Sequence, residues 1–229
     1  ALASTNVAAL ATSQISALSS SQVQALTATA VGALSTDLVN AMTTSQVAAL
    51  TTGQVQAIST STVSGISTTN VKALGAAQVA ALTTTAVSKL STTQVAALTS
   101  KQVGALTTSG VAALSTGQVK ALSSTQVQGI TPAGLNALST AQVAALTTTQ
   151  VSSLTGTQVA GLSTSTLQSL GTDQVAALTD TQVKALTTTE VAAMTTAQVS
   201  ALTTSQLAVV STDDILSLSS TQVSALTTT

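Results

Sequence analysis

Aliphatic residues recur along the whole chain at a fixed spacing of eight. The series runs from Val7 and Ile15 to Val223, and a second aliphatic residue follows each member three positions later, as at Leu10 and Leu226. The consensus octad is Ser/Thr-Thr-x-Gln-Val-x-Ala-Leu, repeated about 28 times. Self-similarity at a short fixed period is typical of solenoid proteins, in which stacked repeats share one core.

The octad register is unbroken, without a linker or a shift in composition. The sequence therefore predicts one continuous repeat domain over residues 1–229. The chain opens inside an octad at Ala1-Leu2 and closes inside one at 227–229. We expect these residues to be a segment of a longer array, or a subunit that stacks end to end.

The period alone leaves two kinds of solenoid open. A single continuous helix is excluded, because eight residues at about 100° each rotate the aliphatic stripe by about 80° per octad. An even period suits β-strands, since residues two apart share a face. Short helices, one per octad, are the other solution.

Capping chemistry favours the helices. The residue after the second aliphatic position is Ser, Thr or Gly in every octad except those of Ala3 and Ala11. These types prefer the N-cap. Three residues later Gln follows in most octads, replaced by Glu190 and Asp214 in two of them, and Ser/Thr-x-x-Gln/Glu is a capping box. The single proline, Pro132, falls at the first helical position, where proline is best tolerated.

The few charges agree with this register. All six acids fall in a predicted first turn, where the helix dipole favours anions, and four of the five lysines fall in the second half of a helix. The acids are Asp37, Asp173, Asp180, Glu190, Asp213 and Asp214, and the four lysines are Lys72, Lys89, Lys120 and Lys184, with Lys101 the exception. A β-solenoid predicts no such segregation.

The sequence thus predicts an all-α solenoid of capped helices of about seven residues, one per octad, with a β-solenoid as the alternative. Such a helix is below the 12–15 residues that are marginal alone, so stacking on other octads must stabilise it. The residue before the second aliphatic position is small in all octads except those of Lys89 and Val209, with glycine at Gly65, Gly129 and Gly161, which predicts the closest helix approach there. The position after Val varies, as at Asn40, and should face solvent.

Composition excludes most chemistry. The chain has no His, Cys, Arg or aromatic residue, and 5% of its residues are charged. It therefore lacks an imidazole base, a thiolate and the usual soft metal ligands. Asp213 and Asp214, with Asp180 or Glu190, lack the spacing of a calcium loop. We predict no catalysis, no cofactor and no metal site.

The same composition limits the partners. Five lysines without stacking aromatics argue against nucleic-acid binding. No stretch approaches the roughly 18 apolar residues of a membrane span. Self-association is the partner interaction that we expect, and cell-surface glycans are a further candidate.

The octads resemble the octapeptide-repeat tracts of very large secreted or surface proteins of Gram-negative bacteria, as in Leu50-Thr51-Thr52-Gly53-Gln54-Val55-Gln56-Ala57. The resemblance covers the whole chain. It implies an extracellular location and a role in a filament, sheath or adhesin stalk. The alternative is a Thr-rich binding module for ice or a glycan, indicated by threonine pairs such as Thr147-Thr148.

Overall fold

A computed structural model describes residues 4–226 as a series of short α-helices, one per octad, without a strand in that span. The chain divides into two compact units, residues 1–121 and 122–229, which are described separately. Unit 1 contains α1 (Ser4–Ala8), α2 (Thr12–Ala17), α3 (Ser20–Gln24), α4 (Ala28–Gly32), α5 (Thr36–Ala41), α6 (Thr44–Ala49), α7 (Thr52–Ala57), α8 (Thr60–Gly65), α9 (Thr68–Ala73), α10 (Ala76–Ala80), α11 (Thr84–Lys89), α12 (Thr92–Ala97), α13 (Ser100–Gly104), α14 (Thr108–Ala112) and α15 (Thr116–Ala121). Unit 2 contains α16 (Ser124–Gly129), α17 (Pro132–Asn136), α18 (Thr140–Ala145), α19 (Thr148–Ser153), α20 (Gly156–Ala160), α21 (Thr164–Gln168), α22 (Thr172–Ala176), α23 (Asp180–Ala185), α24 (Thr188–Ala193), α25 (Thr196–Ser200), α26 (Thr204–Leu207), α27 (Thr212–Ser217) and α28 (Ser220–Ala225).

The all-α prediction is confirmed, and the β-solenoid alternative is wrong. The prediction of one continuous domain over residues 1–229 stays a prediction. Ala3 and the two ends of the chain lie outside the described residues. The expectation of a longer array, or of a subunit that stacks end to end, was made from those ends and therefore also lies outside them.

Each helix begins at the predicted cap. In α7 the Thr51 hydroxyl accepts the Gln54 N–H at 3.2 Å, and the Gln54 Oε1 accepts the Thr51 N–H at 2.8 Å, so two N-terminal amides are satisfied reciprocally. The helix ends because Ile58 takes an extended conformation, with φ −60° and ψ 128°. This early exit leaves helices of four to six residues, slightly shorter than the seven predicted.

Within each unit the helices stack with a regular offset. A helix packs against the third helix after it, as in α4 with α7 in unit 1 and α16 with α19 in unit 2. In addition, glutamine side chains at the start of a helix reach the end of the fourth helix before it. One turn of the stack therefore takes between three and four helices. The sequence alone does not provide this number.

The two aliphatic positions of each octad form a thin core. Val55 is 2% exposed and Val127 is fully buried, and most residues at the second aliphatic position are also buried, as at Leu50 and Leu154. Burying one such side chain stabilises the fold by about 1.5–3 kcal/mol. A single octad cannot bury both without its neighbours, so the core belongs to the stack.

The small residue before the second aliphatic position is confirmed as a site of close approach. A Cβ added to Gly65 would lie 2.6 Å from Thr36 Cγ2, and one added to Gly161 would lie 2.8 Å from Pro132 Cβ. Both contacts are with the helix three positions earlier. Glycine at these octads therefore allows the helices to approach more closely than alanine would.

Candidate functional site

The most ordered polar feature is a ladder of buried glutamines. In unit 1, Gln54 Nε2 donates to the carbonyls of Val23 at 2.9 Å and Leu26 at 2.8 Å, at the end of the fourth helix before its own. Unit 2 repeats this geometry at Gln182. We call these residues the glutamine ladder. Its members within the two units are Gln46, Gln54, Gln78, Gln94, Gln102 and Gln118, and Gln150, Gln158, Gln174, Gln182, Gln198, Gln206 and Gln222.

The ladder is structural. Each amide is almost fully used, because Oε1 caps its own helix while Nε2 satisfies carbonyls that the earlier helix leaves unpaired. The capping half was predicted from the Ser/Thr-x-x-Gln spacing. The Nε2 half was missed, since it depends on which helix lies one turn away.

Asn40, at the predicted solvent-facing position, is exposed but makes two hydrogen bonds to the next turn. Its Nδ2 donates to the Gly65 carbonyl at 3.0 Å, and its Oδ1 accepts the Ser67 N–H at 2.7 Å. Ser67 caps α9, whose third residue is Asn70 instead of Gln, and Asn70 Nδ2 donates to a carbonyl of α5. Asn40 thus supplies from another helix the acceptor that a capping Gln supplies locally.

The same replacement recurs in unit 2. Asn136 Nδ2 donates to Gly161 at 2.8 Å, and its Oδ1 accepts the Ser163 N–H at 2.7 Å. Ser163 caps α21, whose third residue is Thr166 instead of Gln. The hydroxyl groups of Thr166 and Ser163 are hydrogen-bonded to each other. The position after Val faces solvent at Asn40, as predicted, whereas Asn136 at the same octad position is half-buried.

The acidic residues lie in first helical turns, as predicted. Two of them are buried. Glu190 Oε2 accepts the Thr187 N–H at 2.6 Å and its hydroxyl at 2.7 Å, whereas Asp214 accepts only the Ser211 hydroxyl, at 2.6 Å, because its side chain is one carbon shorter. Over residues 4–226 no three Asp or Glu side chains come together as a metal site would require. That the protein binds no metal stays a prediction.

The remaining candidate features are the cap hydroxyls and a small internal space. Cap hydroxyls such as Ser123 Oγ accept backbone N–H groups, which is their predicted role. An internal space of about 20 Å³ in unit 1 is lined by Asn70 and by aliphatic side chains, including Val47 and Leu82, and has room for at most one water molecule. None of the helices within residues 4–226 has the length and apolar character needed to cross a bilayer.

The first and last helices expose what the interior helices bury. In α2 and α3 the glutamines at the same octad position, Gln14 and Gln22, are exposed, and their Oε1 atoms still accept the cap N–H groups of Ala11 and Ser19. We call Gln14 and Gln22 the leading face.

At the other end, in α27 and α28, Ile215 is 37% exposed, Leu216 77% and Val223 47%, although the equivalents of Ile215 and Val223 are buried in most octads. We call these three residues the trailing face. One face presents amide donors, and the other presents uncovered aliphatic side chains.

The residues at the junction between consecutive helices carry the motif that identifies the family of the chain. The model of the ALTTAQ repeat matches residues 23–52, 47–84, 79–108, 104–132, 128–156, 157–188 and 183–212. The chain belongs to the ALTTAQ repeat family. The six letters of ALTTAQ correspond to the end of one helix and the cap and first turn of the next, as in Ala145-Leu146-Thr147-Thr148-Thr149-Gln150. No curated protein matched the chain.

ALTTAQ repeats over most of the chain support a repeat protein with a structural role. An architecture made only of short helices is consistent with a protein that is not an enzyme. The flat β-lattice on which the ice-binding alternative depends does not occur among residues 4–226. Glycan binding stays a prediction.

Proposed function

We propose that this chain is a structural module that assembles end to end, with the trailing face of one copy seated on the leading face of the next. The assembly serves as an extracellular filament, sheath or adhesin stalk. The observation that carries the proposal is the exposure of Gln14 and Gln22 in α2 and α3, and of Ile215 and Val223 in α27 and α28, since most octads bury the residues at these two positions.

The leading and trailing faces would pair through the same glutamine-to-carbonyl hydrogen bonds that join helices inside each unit. An interior ladder residue such as Gln46 donates to carbonyls 28 and 31 residues earlier. Gln14 and Gln22 belong to α2 and α3, and residues 4–226 contain no fourth earlier helix for either of them. Residues 4–226 contain no ladder residue 28 or 31 positions after the carbonyls that end the last four helices. Docking these ends continues the ladder and covers Ile215 and Val223.

The symmetry of such a contact favours a filament. Different surfaces meet, so the interface is heterologous, and heterologous interfaces that do not close form open fibres. Electrostatic repulsion is weak, since the net charge is −1 and 5% of the residues are charged. The extracellular location and the filament, sheath or stalk role are supported by the sequence resemblance, and cell-surface glycans are a further candidate partner.

Blocking one face tests the proposal. In Val223→Lys a charge replaces an aliphatic side chain of the trailing face. The matched control is Thr149→Lys, an exposed residue at the octad position that Lys101 occupies naturally. Sedimentation velocity over a range of concentrations should show linear growth for the wild type and for Thr149→Lys. Val223→Lys should remain at the size of the single chain.

Mixing Val223→Lys with the wild type gives a second test, in which filament length is measured. Val223→Lys keeps an intact leading face, so it should dock on the trailing end of a wild-type filament and stop growth there. Substoichiometric amounts should shorten wild-type filaments seen by negative-stain microscopy. The proposal fails if the wild type stays single-chain at high concentration, or if Val223→Lys assembles as the wild type does.

A further inference from the structure

The charged residues fall in two separate blocks along the chain, and the two blocks have opposite sign. Unit 1 has four lysines and one aspartate, so its formal net charge is +3, whereas unit 2 has one lysine and five acids, so its formal net charge is −4. Residues 121–172, between the blocks, include no charged residue. The basic block is Lys72, Lys89, Lys101 and Lys120, and the acidic block is Asp173, Asp180, Glu190, Asp213 and Asp214.

Helix electrostatics explains where in an octad each charge lies, but not in which octads the charges occur. The first turn of a helix favours an acid and the last turn favours a lysine, and every octad offers both. Acids other than Asp37 nevertheless occur only from α22 onward, and lysines other than Lys184 only between α9 and α15. The division of charge between the units is therefore a property beyond the stability of single helices.

The charges that can act between molecules are at the surface. All four lysines of the basic block are exposed, and so are Asp173, Asp180 and Asp213, whereas the other two acids of the acidic block are buried. When only exposed side chains are counted, unit 1 stays at +3, and unit 2, with these three aspartates and Lys184, is at −2. The two units therefore present surfaces of opposite net charge.

Two lysines of the basic block share one side of unit 1. Lys72 in α9 and Lys120 in α15 occupy the same octad position, after Val, and both helices pack against α12. At this position α12 carries Ala96, which is small and exposed. Packed helices lie about 8–10 Å apart, so the two lysines begin up to about 20 Å apart. The small residue between them leaves this side of the stack accessible to a second molecule.

We propose that unit 1 of one copy binds unit 2 of a second copy side by side, through these opposite charges. A second copy is the partner that fits, because every copy supplies both a basic and an acidic unit. Contact between two like units would instead bring charges of one sign together, which disfavours that arrangement. The basic block lies in α9 to α15 and the leading face in α2 and α3, so this contact is separate from end-to-end docking and does not depend on it.

The pairing depends on the summed charge of each unit. A single exposed ion pair contributes little, whereas opposite net charges attract over a longer range and orient the partners. Salt screens this attraction over a length of about 30 Å at 0.01 M and about 3 Å at 1 M. We therefore expect side-by-side pairing in dilute salt and its loss in concentrated salt, so that ionic strength controls lateral association.

The first test is sedimentation velocity of the full chain at about 10 mM and about 1 M NaCl. It uses Val223→Gln, in which a polar but uncharged side chain weakens end-to-end docking and leaves both blocks unchanged. The association constant of Val223→Gln should fall at least about tenfold between the two salt concentrations.

Moving one lysine gives matched variants that keep the net charge of the chain at −1. Lys101→Ser combined with Ser109→Lys moves the lysine within unit 1, between exposed positions of the same octad type, and should leave the pairing unchanged. Lys101→Thr combined with Thr149→Lys moves it to the same octad position in unit 2, and should weaken the pairing.

Two further variants test complementation, and circular dichroism establishes that each is folded. One neutralises the basic block with residue types found at the same octad positions elsewhere: Lys72→Gln, Lys89→Ala, Lys101→Thr and Lys120→Gln. The other makes unit 2 positive: Asp173→Lys, Asp180→Lys and Asp213→Lys. Neither should pair alone in dilute salt. Their mixture should pair, because one keeps the acidic unit and the other keeps the basic unit.

The proposal is overturned if Val223→Gln stays single-chain at about 10 mM NaCl, or if it associates equally well at about 1 M NaCl. It is also overturned if moving Lys101 to unit 2 has no effect, or if the mixture of folded charge variants behaves like its components. End-to-end docking is judged separately at about 1 M NaCl, where the wild type should still form linear assemblies and Val223→Lys should not.

Discussion

Replacing a buried ladder glutamine by an isosteric apolar residue should be far more costly than the same replacement at an exposed octad. In Gln54→Met the side-chain volume is nearly kept. The variant loses the hydrogen bond that Gln54 Oε1 accepts from the Thr51 N–H at 2.8 Å. It also loses those that Nε2 donates to the Val23 and Leu26 carbonyls at 2.9 and 2.8 Å. Each bond contributes about 1 kcal/mol, and each buried group left unpaired costs about 1–3 kcal/mol.

The Val23 carbonyl keeps a helical partner, the Leu26 N–H, so the Thr51 N–H and the Leu26 carbonyl are the groups most affected. The free energy of unfolding should therefore fall by about 2–5 kcal/mol. The matched control is Gln14→Met, which replaces the same residue at the same octad position. Gln14 is exposed and makes one hydrogen bond, from the Ala11 N–H at 2.8 Å, so its loss should cost about 1 kcal/mol or less.

Urea unfolding followed by far-ultraviolet circular dichroism measures both differences, and hydrogen exchange shows whether the loss is local to the affected turn. Equal losses for the two variants would mean that capping accounts for the whole effect. The reasoning about contacts between turns would then be refuted.

Three further experiments probe the contacts within the stack. Gly161→Ala should destabilise the fold by about 1–3 kcal/mol because its Cβ has no room, whereas Gly53→Ala, which meets nothing within 4 Å, should be neutral or stabilise by up to about 1 kcal/mol; thermal unfolding compares them. Asn136→Ala should lose about 1–3 kcal/mol through its two hydrogen bonds to the next turn, and adding Thr166→Gln should recover part of that loss by restoring a local capping box; a double-mutant cycle that shows simple additivity would contradict this compensation. Leu167→Ala, at a fully buried position, should cost about 2–5 kcal/mol in urea unfolding, and a loss near zero would show that the side chain does not belong to the core.

The sequence determines the local structure more fully than the stacking. Ser, Thr and Gln at fixed offsets predict where each helix begins, because a capping box depends only on residues three apart. The acids in first turns follow from the same register. The end of each helix is less evident, since Ile58 and its equivalents turn into an extended conformation one residue earlier than a seven-residue helix would allow.

Contacts between turns could not be predicted, because they depend on how many helices complete a turn. Gln54 reaches carbonyls 28 and 31 residues away, and Asn40 reaches Gly65 and Ser67 at separations of 25 and 27. None of these separations is a multiple of the octad. Asn136 accepts the Ser163 N–H, which a Gln at position 166 would otherwise accept. This replacement becomes visible only in three dimensions.

The central claim is that helices capped within their own octads are stable only when neighbouring turns bury their aliphatic pairs. Circular dichroism of synthetic peptides with one, four, eight and twelve consecutive octads taken from residues 43–138 tests this directly. Helix content per octad should be close to zero for one octad and should rise steeply once the peptide is long enough for more than one turn of the stack. Helix content per octad that does not change with peptide length would contradict the account.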